Sequence, residues 1–275
     1  MEDVHAHLAG AYDRAAPAYE RAGVAHHAPF SERLAQLVLL GPGGRVLDVG
    51  CGAGGALLPA ARRVGPTGEA LGIDIAPGMV ERTRAAAEEA GLGQVRAEVM
   101  DGAALDGFED EHFDAVLAAF TLAAIPNAER ALTEWRRVLR PTGMLGVAMW
   151  TNLVDDAWAW ESELNNEFAA EIPPELLETA GSLFGRFREA PELRDALERA
   201  GFSDVTVETK HADLTFESAE SWWEWTWAGG FRAFLEAMSE DAQERYREAA
   251  FARLAAAGRD DLTQRFVAML ARARP

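Results

Sequence analysis

Cysteine is almost absent from this chain of 275 residues, in which Cys51 is the only one. A single cysteine excludes an intrachain disulfide and a cysteine cluster for a metal, and it is typical of a reducing compartment. Long apolar runs are absent too: nowhere do about 18 uncharged apolar residues follow one another, and residues 1–20 are polar and charged. These absences predict a cytoplasmic protein with no membrane insertion and no metal site.

Basic residues are scarce relative to acidic ones. The chain has 26 lysines and arginines against 45 aspartates and glutamates, which gives a formal net charge of −19 at pH 7. No run of basic residues interrupts this pattern. An acidic surface repels phosphate backbones, so the sequence argues against a nucleic-acid partner and favours a neutral, cationic or small organic ligand.

Strand and helix patterns alternate through the first part of the chain. The spacing of apolar residues predicts strands at 45–49, 70–74, 95–100, 113–119 and 144–150, and helices between them at 54–64, 78–91 and 127–139. This alternation implies a parallel sheet with right-handed crossovers. Two segments of period two, 205–209 and 212–216, predict a terminal antiparallel hairpin, and residues 218–273 are predicted to be helical. The predicted fold is α/β, a seven-stranded and mostly parallel sheet with helices on both faces.

A glycine-rich segment follows the first predicted strand. Gly50, Gly52 and Gly55 have the spacing of the dinucleotide-binding fingerprint. The same segment, Asp48-x-Gly50-x-Gly52-x-Gly54, resembles the first motif of class I S-adenosylmethionine (SAM)-dependent methyltransferases. Glycine lets a ligand approach the backbone closely, and the helix that follows offers unpaired N–H groups. The segment alone leaves both kinds of cofactor open.

Acidic residues end the next two predicted strands. Asp74 ends the second, where a carboxylate binds ribose hydroxyls in either kind of site. Asp101 ends the third, where it can accept a hydrogen bond from an adenine amino group, and this position favours SAM over NAD. Three features resemble the small-molecule branch of these methyltransferases, which includes the ubiquinone and menaquinone biosynthesis enzymes. They are the order of the acidic residues at the strand ends, the segment Phe113–Gly143 and the N-terminal pattern Tyr12-Asp13-x-x-Ala16-x-x-Tyr19. The resemblance covers roughly residues 11–216 and implies a Rossmann-like fold that binds SAM.

The resemblance also implies a division of the chain into five parts. Residues 1–40 are an expected helical lid, and residues 41–150 the SAM-binding Rossmann-like core. Residues 151–187 are expected to form a helical insert over the acceptor pocket. Residues 188–216 hold the last core helix and the strand hairpin, and residues 217–275 a helical C-terminal extension.

A set of cofactor-binding residues follows from the resemblance and from the ends of the predicted strands. Asp74 is expected at the ribose, Asp101 and Gly102 at the adenine, and Gly50 and Gly52 at the amino-acid part of SAM. Asp48 beneath the loop either contacts the cofactor through water or only holds the turn. The remaining predicted members, some of which have packing as an alternative role, are Tyr12, Tyr19, Ile75, Met79 and the carbonyl of Ala118.

Methyl transfer needs positioning and a desolvated cavity more than acid–base chemistry, because a sulfonium is already a strong electrophile. Paired histidines that often follow the fourth strand in this family are replaced here by Thr121-Leu122-Ala123-Ala124. If the acceptor must lose a proton, the candidate bases are His26, His27 and His211. Each of them also has a structural or surface role as an alternative.

Tryptophans are concentrated in the second part of the chain. Phe120, Trp150, Trp158 and Trp160 are predicted to form the apolar walls of the acceptor pocket, with core packing as the alternative. Trp222, Trp223, Trp225 and Trp227 begin the C-terminal extension, where the core of a cap or a homodimer interface is the favoured role.

Together these features predict a SAM-dependent methyltransferase that acts on a small organic acceptor, such as a secondary metabolite or a quinone-like compound. Three alternatives stay open at this point. One is an enzyme of the same fold that binds SAM without transferring a methyl group. The others are an NAD(P)-dependent oxidoreductase and a non-catalytic ligand-binding or assembly protein.

Overall fold

The structure is a computed structural model that describes residues 2–19, 26–153, 155–256 and 262–275. Its centre is a seven-stranded sheet with the strand order β3-β2-β1-β4-β5-β7-β6. The first five strands are parallel, and β7 runs antiparallel to both of its neighbours. The strands are β1 (Arg45–Val49), β2 (Glu69–Asp74), β3 (Val95–Val99), β4 (Phe113–Ala119), β5 (Leu139–Trp150), β6 (Ser203–Phe216) and β7 (Leu262–Arg274). The predicted α/β fold class is confirmed.

Helices cover both faces of this sheet. They are α1 (Glu2–Ala18), α2 (Ala28–Leu37), α3 (Leu57–Val64), α4 (Pro77–Glu89), α5 (Ala128–Val138), α6 (Ala159–Glu167), α7 (Pro174–Phe184), α8 (Ala190–Arg199), α9 (Ala219–Trp227), α10 (Arg232–Ala237) and α11 (Glu240–Ala256). Helices α2 and α3 bury apolar side chains on one face, whereas α5 and α8 bury theirs on the other. No described helix is both long enough and apolar enough to cross a membrane.

The C-terminal part of the sheet corrects two predictions. The expected hairpin of residues 205–209 and 212–216 is one continuous strand, β6, because Lys210 and His211 between the two segments keep the period of two and lack turn chemistry. Its antiparallel partner is β7, which belongs to the segment 217–275 that was predicted to be helical throughout. Residues 268–271 are buried between β5 and β6, and this tertiary pairing overrides the helix propensity of Ala, Leu and Met.

Two insertions form a helical cap beside the sheet. The segment between β5 and α8 packs against α9–α11 in one apolar cluster that contains Trp158, Trp222 and Tyr246. The indole Nε1 of Trp158 donates to the carbonyl of Thr263 in β7 at 2.8 Å, which ties the cap to the sheet. Nε1 of Trp222 donates to the Glu161 carboxyl group at 2.9 Å, and burial raises the pKa of Glu161 to about 7.

Trp135 in α5 connects the core to the loop after β3. Its side chain is completely buried, and its Nε1 donates to the carbonyl of Gly102 at 2.8 Å. We expect Trp135→Phe to lower the free energy of unfolding by about 1–3 kcal/mol, since the carbonyl then loses its donor inside the protein. Urea denaturation measures this change, and an unchanged midpoint would show that the hydrogen bond contributes nothing.

Candidate SAM-binding cleft and acceptor pocket

A cleft lies at the carboxyl ends of β1, β2 and β4, where open parallel sheets bind their ligands. Its empty space measures about 1440 Å³ when the open mouth is included. The cleft brings together most of the predicted cofactor residues and part of the predicted acceptor pocket. Those that line it are Tyr12, Tyr19, His27, Gly50, Gly52, Asp74, Ile75, Met79, Asp101, Gly102, Phe120 and Trp150.

The glycine loop forms the floor of the cleft. The amides of Gly50 and Cys51 both donate to the carbonyl of Ile73 in β2, at 2.8 and 3.0 Å. Gly50 and Gly52 have φ angles of 68° and 53°, which favour glycine. A Cβ atom at Gly50 would collide with the side chain of Thr121, whereas a Cβ at Gly52 would meet nothing within 4 Å. The space above Gly52 is therefore open for a ligand.

Gly52→Ala tests whether a ligand occupies this space. The added methyl group would project into the cleft, so we expect the affinity for SAM to fall about tenfold or more. Gly91→Ala is the matched control, because Gly91 also has a positive φ, of 66°, and no neighbour within 4 Å of its Cβ position, but it lies outside the cleft. Calorimetric titration with SAM should separate the two variants; equal affinities would contradict this placement.

Asp74 lies at the centre of the cleft, at the end of β2. Its Oδ2 accepts from the Gly52 amide at 3.0 Å, and its Oδ1 accepts from the Ala76 amide at 2.9 Å. Burial raises the pKa of this carboxyl group. Each carboxylate oxygen can accept a second hydrogen bond, so Asp74 can hold the loop and a ligand hydroxyl at the same time.

Asp101 and Gly102 line the far end of the cleft, after β3. Oδ1 of Asp101 accepts from the Ala103 amide at 2.8 Å, and the carboxyl group is exposed to the cleft mouth. The Gly102 carbonyl is held by Trp135 from behind. This corner offers a free carboxylate oxygen and backbone groups to a polar ring edge.

Asp48 lies behind the glycine loop and does not line the cleft. The residue is 1% exposed, and the backbone amide of Leu57 is the neighbour that stabilises its charged form. Burial raises the pKa of Asp48 to about 8, and the negative charge of Asp74 adds to this rise. This rise keeps the proton on Asp48 near neutral pH, so the residue lies behind the loop as a neutral acid.

Helix α1 covers the same half of the cleft. Oδ1 of Asp13 accepts from the Gly78 amide at 2.6 Å, which attaches α1 to the start of α4. Tyr12, Tyr19 and the buried Met79 pack together there. Burial raises the pKa of Tyr12 to about 12, and it raises that of Tyr19 as well, so both phenols stay protonated near neutral pH.

Aromatic rings form the other half of the cleft. Phe120 and Trp150 stack with ring centroids 4.1 Å apart and an angle of 22° between the planes. The ring of His27 meets Phe120 edge-on at 4.9 Å. Phe120 holds a left-handed φ of 61°, a strained conformation for a bulky residue that places its ring over the cleft.

The three predicted bases are in different places. His27 lines the cleft, and His26 is 8% exposed behind Trp150, where its Nδ1 accepts from Nε1 of Trp225 at 3.1 Å. His211 is exposed in the middle of β6 and paired with Val267, not at a hairpin tip. Of the predicted bases, the cleft contains only His27.

Besides Asp48, His26 and His211, three predicted site residues do not line the cleft. Trp158 and Trp160 pack in the core of the helical cap, so their assignment to the pocket walls is wrong. Ala118 is completely buried within β4, and the following residues Ala119 and Phe120 line the cleft instead. The prediction concerned the carbonyl of Ala118, and the part of the chain that reaches the cleft begins one residue later.

Sequence reasoning also missed several residues of the cleft. Met100 directly follows β3 and Thr121 is the second residue after β4, so their positions near strand ends were a usable signal. Phe184 ends α7 and Arg188 lies between α7 and α8, where nothing in the sequence indicated the cleft. The others include Ser31, Ile125 and Met149.

Known proteins are similar to this chain in sequence and in fold. Residues 46–143 match the family described as "Methyltransferase domain". The chain is 37% identical to nocamycin O-methyltransferase of Saccharothrix syringae over 240 residues, which cover 84% of each protein. This protein belongs to the class I SAM-dependent methyltransferases that act on small molecules. It is also 39% identical to aklanonic acid methyltransferase DauC of Streptomyces sp. strain C5, over 61% of this chain and 74% of that protein.

The fold is shared more widely than the chemistry. The [4+2]-cyclase SpnF superimposes with a TM-score of 0.54 at 23% identity, covering 90% of this chain and 81% of the cyclase. That likeness shows the fold alone. The sequence relatives therefore decide the activity of this methyltransferase, and they exclude the NAD(P)-dependent alternative. Among the described residues, no cluster of three or more His, Cys, Asp or Glu side chains could hold a metal ion.

The residues of the cleft fit SAM as the cofactor. The open space above Gly52 and the carboxylates of Asp74 and Asp101 form an acidic half, which suits a cationic ligand with ribose hydroxyls. Thr121 packs against Gly50 and leads from this acidic half directly to the aromatic half.

Proposed function

We propose that the acidic half of the cleft holds SAM and that the aromatic half holds a small planar acceptor. Asp74 accepts hydrogen bonds from the ribose, Asp101 and the Gly102 backbone contact the adenine, and the loop at Gly50–Gly52 faces the amino-acid part. The main support for the proposal is that the acidic half and the aromatic half belong to one continuous cleft. Asp74 and the Phe120–Trp150 stack line one cavity, with the glycine loop between them.

The remaining residues of the acidic half enclose the cofactor in this proposal. Tyr12, Tyr19, Ile75 and Met79 shield the nucleoside, and α1 acts as part of a lid that excludes water. Asp48 supports the glycine loop from behind as a buried acid.

The acceptor proposal rests on the aromatic half and on the relatives. Two stacked rings present a flat apolar surface, which suits a planar conjugated compound. The names of the relatives refer to nocamycin and aklanonic acid, and we infer that this enzyme likewise methylates a secondary metabolite.

Bound SAM supplies an electrophilic methyl group. The chain contributes mainly position and desolvation: the Phe120–Trp150 stack orients the acceptor in line with the methyl group, and the lid keeps water out. Where the acceptor must lose a proton, His27 is placed to take it, because it is the predicted base that lines the cleft.

Mass spectrometry tests the reaction. We expect incubation with SAM and planar polyketide-type acceptors to release S-adenosylhomocysteine and a product heavier by one CH₂ unit. Trp150→Ala should lower the turnover while the affinity for SAM stays within about twofold. Binding of SAM without any release of S-adenosylhomocysteine across such acceptors would favour the non-methylating alternative.

Two further predictions from the sequence belong to this proposal. We propose a cytoplasmic location, which the single cysteine supports. We also propose a homodimer through the helical part of the C-terminal region. Light scattering on the purified protein measures its mass, and a monomer at all concentrations would contradict the dimer.

A further inference from the structure

Arg188 is the only lysine or arginine among the described residues that line the cleft. It lies between α7 and α8, where the helical cap meets the sheet, and it reaches the cleft near Phe184 and Trp150. The chain as a whole carries a formal charge of −19, and Asp74 and Asp101 make the opposite half of the cleft acidic. A cation at this place therefore needs an explanation.

No carboxylate among the described residues pairs with the guanidinium of Arg188. Nη2 donates to the Thr151 carbonyl at 2.6 Å, and Nη1 reaches the Phe184 carbonyl at 3.5 Å, at the limit of a hydrogen bond. Nε is buried and has no acceptor among the described residues. The carboxylate of Glu192, in the described part of the chain, accepts from the backbone amide of Arg188 and not from its guanidinium. Burial lowers the pKa of Arg188, as expected for a desolvated cation without a counter-ion.

The neighbouring Arg186 shows what a structural arginine looks like here. Its guanidinium donates to the carbonyls of Ala123, Ile125 and Pro126 and so clamps the cap to the loop after β4. Arg186 does not line the cleft, and its donors are used by backbone acceptors. Arg188 has fewer acceptors and a place in the cavity wall, which points to a ligand and not to the fold.

We infer that Arg188 binds an anionic group of the methyl acceptor, a carboxylate or a comparably acidic oxygen. A guanidinium presents a planar fork of donors that matches a carboxylate, and such charge-assisted bonds are strong in a partly desolvated site. The Phe120–Trp150 stack beside it would hold the planar skeleton of the same molecule. This inference rests on the proposed function, because it takes the aromatic half of the cleft as the acceptor pocket.

An anionic acceptor is the opposite of the ligand type that the acidic composition favours. The acidic balance of the chain favours neutral or cationic ligands, since its summed field repels anions. A local cation at one end of the cleft overcomes that field for a ligand that reaches it. The same cation would select against acceptors with an ammonium group at this position.

Binding of matched probes to the enzyme loaded with S-adenosylhomocysteine tests the inference. The probes are 2-naphthoate and 2-naphthamide, which share one ring system and differ in charge. We expect calorimetry to show that the acid binds at least about tenfold more tightly than the amide. Arg188→Met should abolish this preference, and Arg188→Lys should keep part of it because the charge remains while the fork is lost. Arg136→Met, on the exposed face of α5, is the control that keeps the full preference.

The outcomes separate this inference from the proposed function. Equal binding of the two probes, no binding of either, or a preference that survives Arg188→Met would overturn the role of Arg188. Failure of S-adenosylhomocysteine itself to bind the wild-type enzyme would instead overturn the proposed cleft. Should Arg188→Met fail to fold, as judged by circular dichroism, the Arg188→Lys variant decides by the size of its remaining preference.

Discussion

Replacing Asp74 with alanine is expected to weaken SAM binding by about 100-fold. The change removes the carboxylate proposed to accept from the ribose hydroxyls. It also removes the acceptor for the amides of Gly52 and Ala76, which hold the floor of the cleft in place. Hydrogen bonds to a charged group each contribute about 1.5–3 kcal/mol, so two of them account for the expected loss. Isothermal titration calorimetry measures the affinity directly.

A matched aspartate separates ligand binding from loop support. Asp114 at the start of β4 accepts from the Arg45 amide at 2.8 Å and from Arg140 at 2.6 Å, but it lies outside the cleft. Asp114→Ala should lower the melting temperature and leave the affinity for SAM within about twofold. Asp74→Asn, which keeps one oxygen acceptor, should give an intermediate affinity. If Asp74→Ala bound SAM as tightly as the wild type, the assignment of the ribose site would fail.

The stability of the protein is expected to fall as the pH rises, and Asp48 is the main cause. Burial raises the pKa of Asp48 to about 8 in the folded state, whereas an unfolded aspartate titrates near 3.9. Between these values the folded state holds a proton that the unfolded state has released. The contribution is therefore fully present below about pH 4 and is lost as the pH rises through about 8. Over that window it amounts to roughly 5–6 kcal/mol, at about 1.4 kcal/mol for each unit of pKa shift.

Asp48→Asn removes this titration. Urea denaturation between about pH 5 and 8 should show a smaller loss of unfolding free energy with pH for the variant than for the wild type. Glu161 in the helical cap, whose pKa is raised to about 7, acts in the same direction. Glu161→Gln therefore measures the part of the pH dependence of stability that comes from the cap. Identical pH slopes for Asp48→Asn and the wild type would show that Asp48 is not buried as a neutral acid.

The cofactor half of the site could be predicted because its residues follow from local position. Asp74 and Asp101 stand at the ends of predicted strands, and the carboxyl ends of parallel strands meet at one edge of a sheet. Gly50 and Gly52 mark a turn that only glycine adopts easily. These positions need no knowledge of distant contacts.

The acceptor half could be predicted only in part. Phe120 and Trp150 end the strands β4 and β5, so their place in the cleft again follows from the sheet. Trp158 and Trp160 lie on inserted segments whose orientation is decided by contacts with α9–α11, more than fifty residues away in the chain. Residues 262–274 have helix-forming side chains and become a strand only because β5 and β6 are there to pair with them. The position of Arg188 in the cleft wall depends on how the cap packs against the sheet, so the sequence alone could not predict it.

A crystal structure of the enzyme with bound S-adenosylhomocysteine would show where the cleft holds the nucleoside and the sulfur. We expect the ribose hydroxyls to lie within hydrogen-bond distance of the Asp74 carboxylate, with the adenine at Asp101 and Gly102. We also expect the sulfur to face the space between the Phe120–Trp150 stack and Arg188. A nucleoside bound elsewhere in the cleft, or a sulfur that faces away from the aromatic half, would contradict this placement.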